Sequence, residues 1–169
     1  MSGPSASAQA VIDALRDRGA SLVTAESLTG GLLCATLVDV AGASEVVRGS
    51  VVAYAADLKT SLLGVPEETL SRVGTVAAET AIAMAAGARD RLGSTFGLAT
   101  TGVAGPDGAE GKPVGTAFVA VVGPAVAEVR RLQLSGDRAD IRSGTAAGAL
   151  ALLREVLERG SPVVPESTG

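Results

Sequence analysis

A chain with no histidine has few routes to nucleophilic chemistry, and this one carries a serine where such chemistry would sit. The run Thr24-Ala25-Glu26-Ser27-Leu28-Thr29-Gly30-Gly31 follows the apolar pair Leu22-Val23 and precedes an apolar run from Leu32 to Val40. A hydroxyl-rich turn with two glycines, between a strand and a helix, is where α/β proteins place reactive groups and bind anions. Ser27 is the candidate nucleophile. Its base cannot be an imidazole, so Ser-His-Asp and Cys-His schemes are out, as are the commonest zinc and iron sites. Lysine can serve once burial or a nearby cation lowers its pKa. The chain has two lysines, Lys59 and Lys112, and its twelve other cations are arginines, which stay protonated.

Lys59 follows the sole tyrosine, Tyr54, by five residues. With Tyr54 at a strand's end and Lys59 a turn into the next helix, both can face the end of the neighbouring strand that carries Ser27. A Ser27, Tyr54 and Lys59 set is then a proton path. The plainer alternative is a half-buried strand tyrosine and a solvated helix lysine. The amides of Thr29, Gly30 and Gly31, at a helix start, have no intrahelical partner and can hold an oxyanion or a phosphate. The plainer alternative here is a tight turn. The stretch is neither G-x-S-x-G nor a Walker loop.

Two further features fit a ligand site. Thr100 to Gly108 follows an apolar run and has the small residues of a binding loop, with Gly102 and Gly105 inside it. Arg138 and Arg142 lie about one helical turn apart and can clamp a phosphate, or else form a solvated face beside Asp137 and Asp140.

The elements that must position these groups follow from periodicity and punctuation. Helices are expected over residues 7–18 with Ser7 as cap, 30–40, 57–63, 67–72, 77–92 and 138–159, the last capped by Asp137. Strands are expected over 21–25, 45–54, 95–101, 114–122 and 127–134, the last two joined at Gly123-Pro124 as an antiparallel hairpin. Helices alternating with apolar strands, and one late hairpin, specify a three-layer α/β/α domain with a mixed central sheet. One domain over 1–159 is expected, with frayed residues at 1–6 and a disordered tail at 160–169.

Composition narrows the partners. Apolar residues make up 47% and aromatics 2%, so the core is built from Val, Leu, Ile and Ala. The net charge of −4, with no dense Lys/Arg cluster, argues against a nucleic-acid partner. No apolar run reaches the roughly 18 residues that span a bilayer, and no signal peptide is evident, so no membrane partner is expected. The single cysteine, Cys34, reads as a packed thiol and fits a reducing cytoplasm. No metal and no cofactor is expected.

In order along the chain, Thr24-Ala25-Glu26-Ser27-x-Thr29-Gly30-Gly31, Tyr54-x4-Lys59, Thr101-Gly102-Val103-Ala104-Gly105-Pro106-Asp107-Gly108, Lys112-Pro113-Val114-Gly115-Thr116 and Gly136-Asp137-Arg138 resemble the C-terminal domain of the competence/damage-inducible protein CinA. The resemblance runs from about residue 8 to 158. It implies an α/β/α fold and an amidohydrolase that converts nicotinamide mononucleotide to nicotinate mononucleotide and ammonia, through a Ser-Tyr-Lys set without metal. Carried over, Ser27 is the nucleophile, Lys59 its base and Tyr54 the assisting hydroxyl. Thr29, Gly30 and Gly31 supply oxyanion donors, and Gly102, Gly105 and Arg142 hold the nucleotide. A small-molecule nucleotide substrate and a homo-oligomer are the expected partners. The chain departs from the family's usual residues at Leu28, at Ala77 and at Ala55-Ala56. A nucleotide-binding module that keeps the pocket without turnover, and an amidase for another amide, are the alternatives.

Overall fold

In the computed structural model, residues 5–160 are described. The order is α1 (Ala6–Asp17), β1 (Leu22–Glu26), α2 (Leu32–Val38), a 3-10 turn (Ala43–Glu45), β2 (Val47–Val52), α3 (Ala56–Leu63), α4 (Glu67–Val73), α5 (Ala78–Leu92), β3 (Phe96–Gly102), β4 (Thr116–Gly123), β5 (Val126–Gln133) and α6 (Arg138–Arg159). The five strands form one sheet in the order β2-β1-β3-β4-β5. β1 is parallel to both β2 and β3, and β4 is antiparallel to β3 and β5. The sheet is therefore mixed, with helices on both faces, as expected.

Alternation along the buried strands assigns the two faces. Leu22, Leu98, Val119 and Val121 pack with α1, α2 and α6. Val23, Ala25, Ala99 and Ala120 pack with α5 and with Leu63 of α3. The alanine-rich α5 sits on the sheet through Ala81, Met84, Ala85 and Ala88, all fully buried. Gly97 is what lets it approach: a Cβ there would meet the Ala85 carbonyl oxygen at 2.1 Å. Among the described residues no helix is long and apolar enough to cross a membrane.

Several boundaries differ from expectation, each for a local reason. Ser5, not Ser7, caps α1, its hydroxyl accepting from the Ala8 amide at 3.1 Å. α2 begins at Leu32, because Gly30 and Gly31 take left-handed φ values of 58° and 100° that a helix cannot contain. Residues 43–45 turn as a 3-10 helix after the left-handed Gly42, so β2 starts at Val47. It ends at Val52, which leaves Tyr54 beyond the strand. The hairpin turn is Pro124-Ala125, since Gly123 and Val126 still pair. Residues 161–169, most of the expected tail, lie outside the described residues, as do 1–4.

Candidate active site

The site forms at the carboxyl ends of β1, β2 and β3, where alternation sends successive residues of one turn to opposite faces. Glu26 ends β1, pointing to the same face as Leu22 and Thr24, beneath α2. Ser27 follows and turns toward α3. The parallel pairing continues one step past the ladder, with the Ala53 amide donating to the Glu26 carbonyl at 2.9 Å. On the other side the Ser27 amide donates to the Thr100 carbonyl at 3.1 Å. Ser27 is thus fixed between the ends of two neighbouring strands.

Lys59 reaches this point from α3. It is 1% exposed, the largest fully buried side chain among the described residues. Its Nζ donates to Ser27 Oγ at 3.1 Å, to the Ala53 carbonyl at 2.8 Å and to the Tyr54 carbonyl at 3.2 Å. Burial pushes its pKa down from the ordinary lysine value, while the Glu110 carboxylate opposes that fall. Loss of one proton leaves two N–H groups for two carbonyls and a lone pair directed at the Ser27 hydroxyl. That is the geometry of a nucleophile with its general base. The solvated alternative for Lys59 does not hold.

Tyr54 reaches the pair by an unexpected atom. Its backbone carbonyl holds Lys59, whereas its side chain is 61% exposed and its hydroxyl accepts from Arg138 Nη2 at 3.0 Å. Arg138 also donates to the Gly105 carbonyl. Arg138 therefore ties the segment after β2 to the loop after β3.

The helix-start amides are distributed differently from the expectation. The Gly31 amide donates to Glu26 Oε1 at 3.1 Å, and those of Leu33 and Cys34 donate to the same carboxylate at 2.9 Å each. The Gly30 amide donates to the Ser27 carbonyl at 3.0 Å. Glu26 is fully buried and also accepts from Thr24 and Ser50 hydroxyls. A carboxylate from the chain itself thus fills the anion position of α2, stabilised by the amides and the positive end of the helix. Among the described residues the amides of Leu28 and Thr29 make no hydrogen bond. They follow directly on Ser27, and these two are the amides that an oxyanion formed at Ser27 would find unengaged. Of the expected donors only Thr29 stays available; its hydroxyl is 2.8 Å from that of Thr100.

Arg142 reaches the turn after Ser27 from α6. Its Nε donates to the Leu28 carbonyl at 2.9 Å and its Nη2 to the Thr29 carbonyl at 3.0 Å. Gly102 lies in β3, where a Cβ would meet the Ala117 Cβ at 2.8 Å, so it serves sheet packing. Gly105 has a left-handed φ of 90° and presents its carbonyl to Arg138.

Two residues of the site escaped sequence reasoning. Glu26 was legible in principle: a carboxylate closing a strand buried on both faces, just before a helix start, needs a buried partner set. Glu110 had no local signal. From the loop after β3 its carboxylate accepts from the Thr75 amide and hydroxyl at 3.0 and 2.7 Å and from the Val76 amide at 3.0 Å. These amides precede α5, whose N-cap Ala77 has no capping side chain. Glu110 thereby latches the loop to the α4–α5 connection.

Comparison with known proteins agrees with this architecture. A family model described as the CinA C-terminal domain matches residues 5–157. A CinA-like protein of Frankia casuarinae is 51% identical over 87% of this chain and 34% of its own length. A putative competence-damage inducible protein of Desulforamulus reducens is 47% identical over 89% of this chain and 36% of its own. The chain thus spans about a third of the length of these curated relatives. A crystal structure of a competence damage-inducible protein from Klebsiella pneumoniae superposes with a TM-score of 0.90 at 32% identity, covering 95% of this chain and 100% of that one. A competence/damage inducible protein from Agrobacterium tumefaciens superposes at 0.86 with 36% identity, covering 94% and 99%. With sequence and fold matched over the same residues, the chain belongs to the CinA C-terminal domain family.

Proposed function

We propose that this chain is an amidohydrolase that deamidates nicotinamide mononucleotide, with Ser27 as nucleophile and Lys59 as general base. The observation that carries the reading is the buried Lys59 amine 3.1 Å from Ser27 Oγ, oriented by two backbone carbonyls. The resemblance of the site motifs to nicotinamide-nucleotide amidases supplies the substrate.

In this scheme neutral Lys59 accepts the Ser27 proton as Oγ attacks the carboxamide carbon. The carbonyl oxygen gains the negative charge and takes hydrogen bonds from the Leu28 and Thr29 amides. Collapse breaks the C–N bond, and Lys59 returns its proton to the departing nitrogen, which leaves as ammonia. Water, deprotonated by Lys59, attacks the acyl-enzyme carbon; the proton then passes to Ser27 Oγ and the acid is released. Tyr54 assists by holding Lys59 with its carbonyl.

The test is ammonia release from nicotinamide mononucleotide beside calorimetric binding of the same compound. Turnover that disappears in Ser27→Ala and Lys59→Ala supports the proposal. Binding by the wild type without ammonia overturns it in favour of a nucleotide-binding module.

A further inference from the structure

Arg142 reaches the nucleophile turn from the α6 side, and two of its nitrogens already have acceptors there. Nε and Nη2 take two successive backbone carbonyls, those of Leu28 and Thr29. The same two residues are those whose amides are unengaged among the described residues. In a trans peptide the C=O and the following N–H point in opposite directions, and the Leu28–Thr29 bond is trans. Holding the Leu28 carbonyl toward α6 therefore turns the Thr29 N–H away from α6. That is the direction of α3, from which Lys59 reaches Ser27.

The turn is held from other sides too. Glu26 anchors the amides of Gly31, Leu33 and Cys34 below it, and the Gly30 amide closes on the Ser27 carbonyl. Gly30 takes the left-handed φ of 58° that the turn requires there. Two parallel N–H groups on one planar head fit two consecutive carbonyls; a lysine ammonium does not reproduce that fork.

We infer that Arg142 is a positioning residue which fixes the Leu28–Thr29 peptide so that the Thr29 amide faces the reacting carbonyl, and that it is not a ligand for the substrate's phosphate. This rests on the amidase reading and assigns Arg142 a different task from the nucleotide contact implied by resemblance. Phosphate recognition is then left to the cations outside the turn, Arg138 and Lys112.

The experiment compares Arg142→Lys with the wild type on two substrates, nicotinamide mononucleotide and its dephosphorylated riboside. It also measures the rate at which a fluorophosphonate labels Ser27, read by mass spectrometry. Folding is checked by circular dichroism. Loss of one aligned oxyanion donor costs on the order of 10²-fold in kcat. The expected result is a fall of about that size in kcat on both substrates, with KM within about 3-fold, and a parallel fall in labelling rate. A rise in KM confined to the phosphorylated substrate, with kcat and labelling unchanged, overturns the inference. Should Arg142→Lys not fold, the Arg142 Nε–H resonance of the wild type is followed by NMR while inorganic phosphate is added. An unmoved resonance supports the positioning role, and a saturating shift overturns it. A wild type that is labelled at Ser27 but releases no ammonia ends the amidase proposal alone, and the labelling rates still judge Arg142. A wild type that is not labelled at all overturns both.

Discussion

The Lys59 amine lies 3.1 Å from the Ser27 hydroxyl across 32 residues of sequence, and both groups are buried. On the amidase reading, removing either is expected to remove the reaction, not merely its tuning. Ser27→Ala and Lys59→Met are each expected to lower ammonia release by at least ~10³-fold while the far-ultraviolet spectrum stays native. The double variant should be no worse than the single ones, because the two groups act as a unit. Additive losses would separate their roles.

Lys59 must be neutral to act as base, so turnover should rise with pH through its lowered pKa. Burial lowers that pKa, and Glu110 works against the fall by stabilising the ammonium. Removing the Glu110 charge lowers the pKa further and enlarges the neutral fraction. In Glu110→Gln the acid limb of the kcat/KM profile is expected to move to lower pH. An unmoved limb, or one moved upward, would show that Lys59 is not the group being titrated.

The Tyr54 hydroxyl and Arg138 satisfy each other at 3.0 Å at the exposed rim, away from the Lys59 amine. Tyr54→Phe and Arg138→Gln should each raise KM more than they lower kcat. Their combined effect should fall short of the sum by about 0.5–1.5 kcal/mol, the worth of one hydrogen bond. A kcat loss in Tyr54→Phe that is additive with Arg138→Gln would instead place the hydroxyl on the proton path.

Glu26 is a fully buried carboxylate with five donors on its two oxygens. A neutral amide keeps one acceptor oxygen and turns an NH2 group toward donors. Glu26→Gln is expected to lose about 2–4 kcal/mol of stability, measured by urea unfolding with an unchanged slope. A loss below ~0.5 kcal/mol would mean that the helix start is held by other contacts.

Much of the architecture was legible because it is local. Apolar runs bounded by turn residues marked β1, β3, β4 and β5, and Asp137 marked the start of α6, where its side chain accepts from the Asp140 amide. The pairing of Ser27 with Lys59 was within reach because a chain with no histidine and two lysines offers few bases. What escaped was the choice of atoms. Arg142 meets the Leu28 and Thr29 carbonyls across 114 and 113 residues, and Glu110 meets Thr75 across 35. No periodicity records which of several nearby arginines finds a carbonyl and which finds a hydroxyl. The fate of the α2 amides was equally hidden. The expected strand stopped at residue 25, so the carboxylate that fills the helix start lay outside it.

β2 is an edge strand, paired only with β1, and it leads straight into the eight residues of α3 that carry Lys59. Ser27, by contrast, hangs from β1 and β3 in the middle of the sheet. The two halves of the dyad thus belong to segments that open at different free energies. On warming, the edge is expected to loosen first, carrying the amine off the hydroxyl while the central strands still hold their amide protons. Heat inactivation should therefore run ahead of the cooperative melt, and the gap between the two temperatures is a direct reading of how firmly α3 is docked.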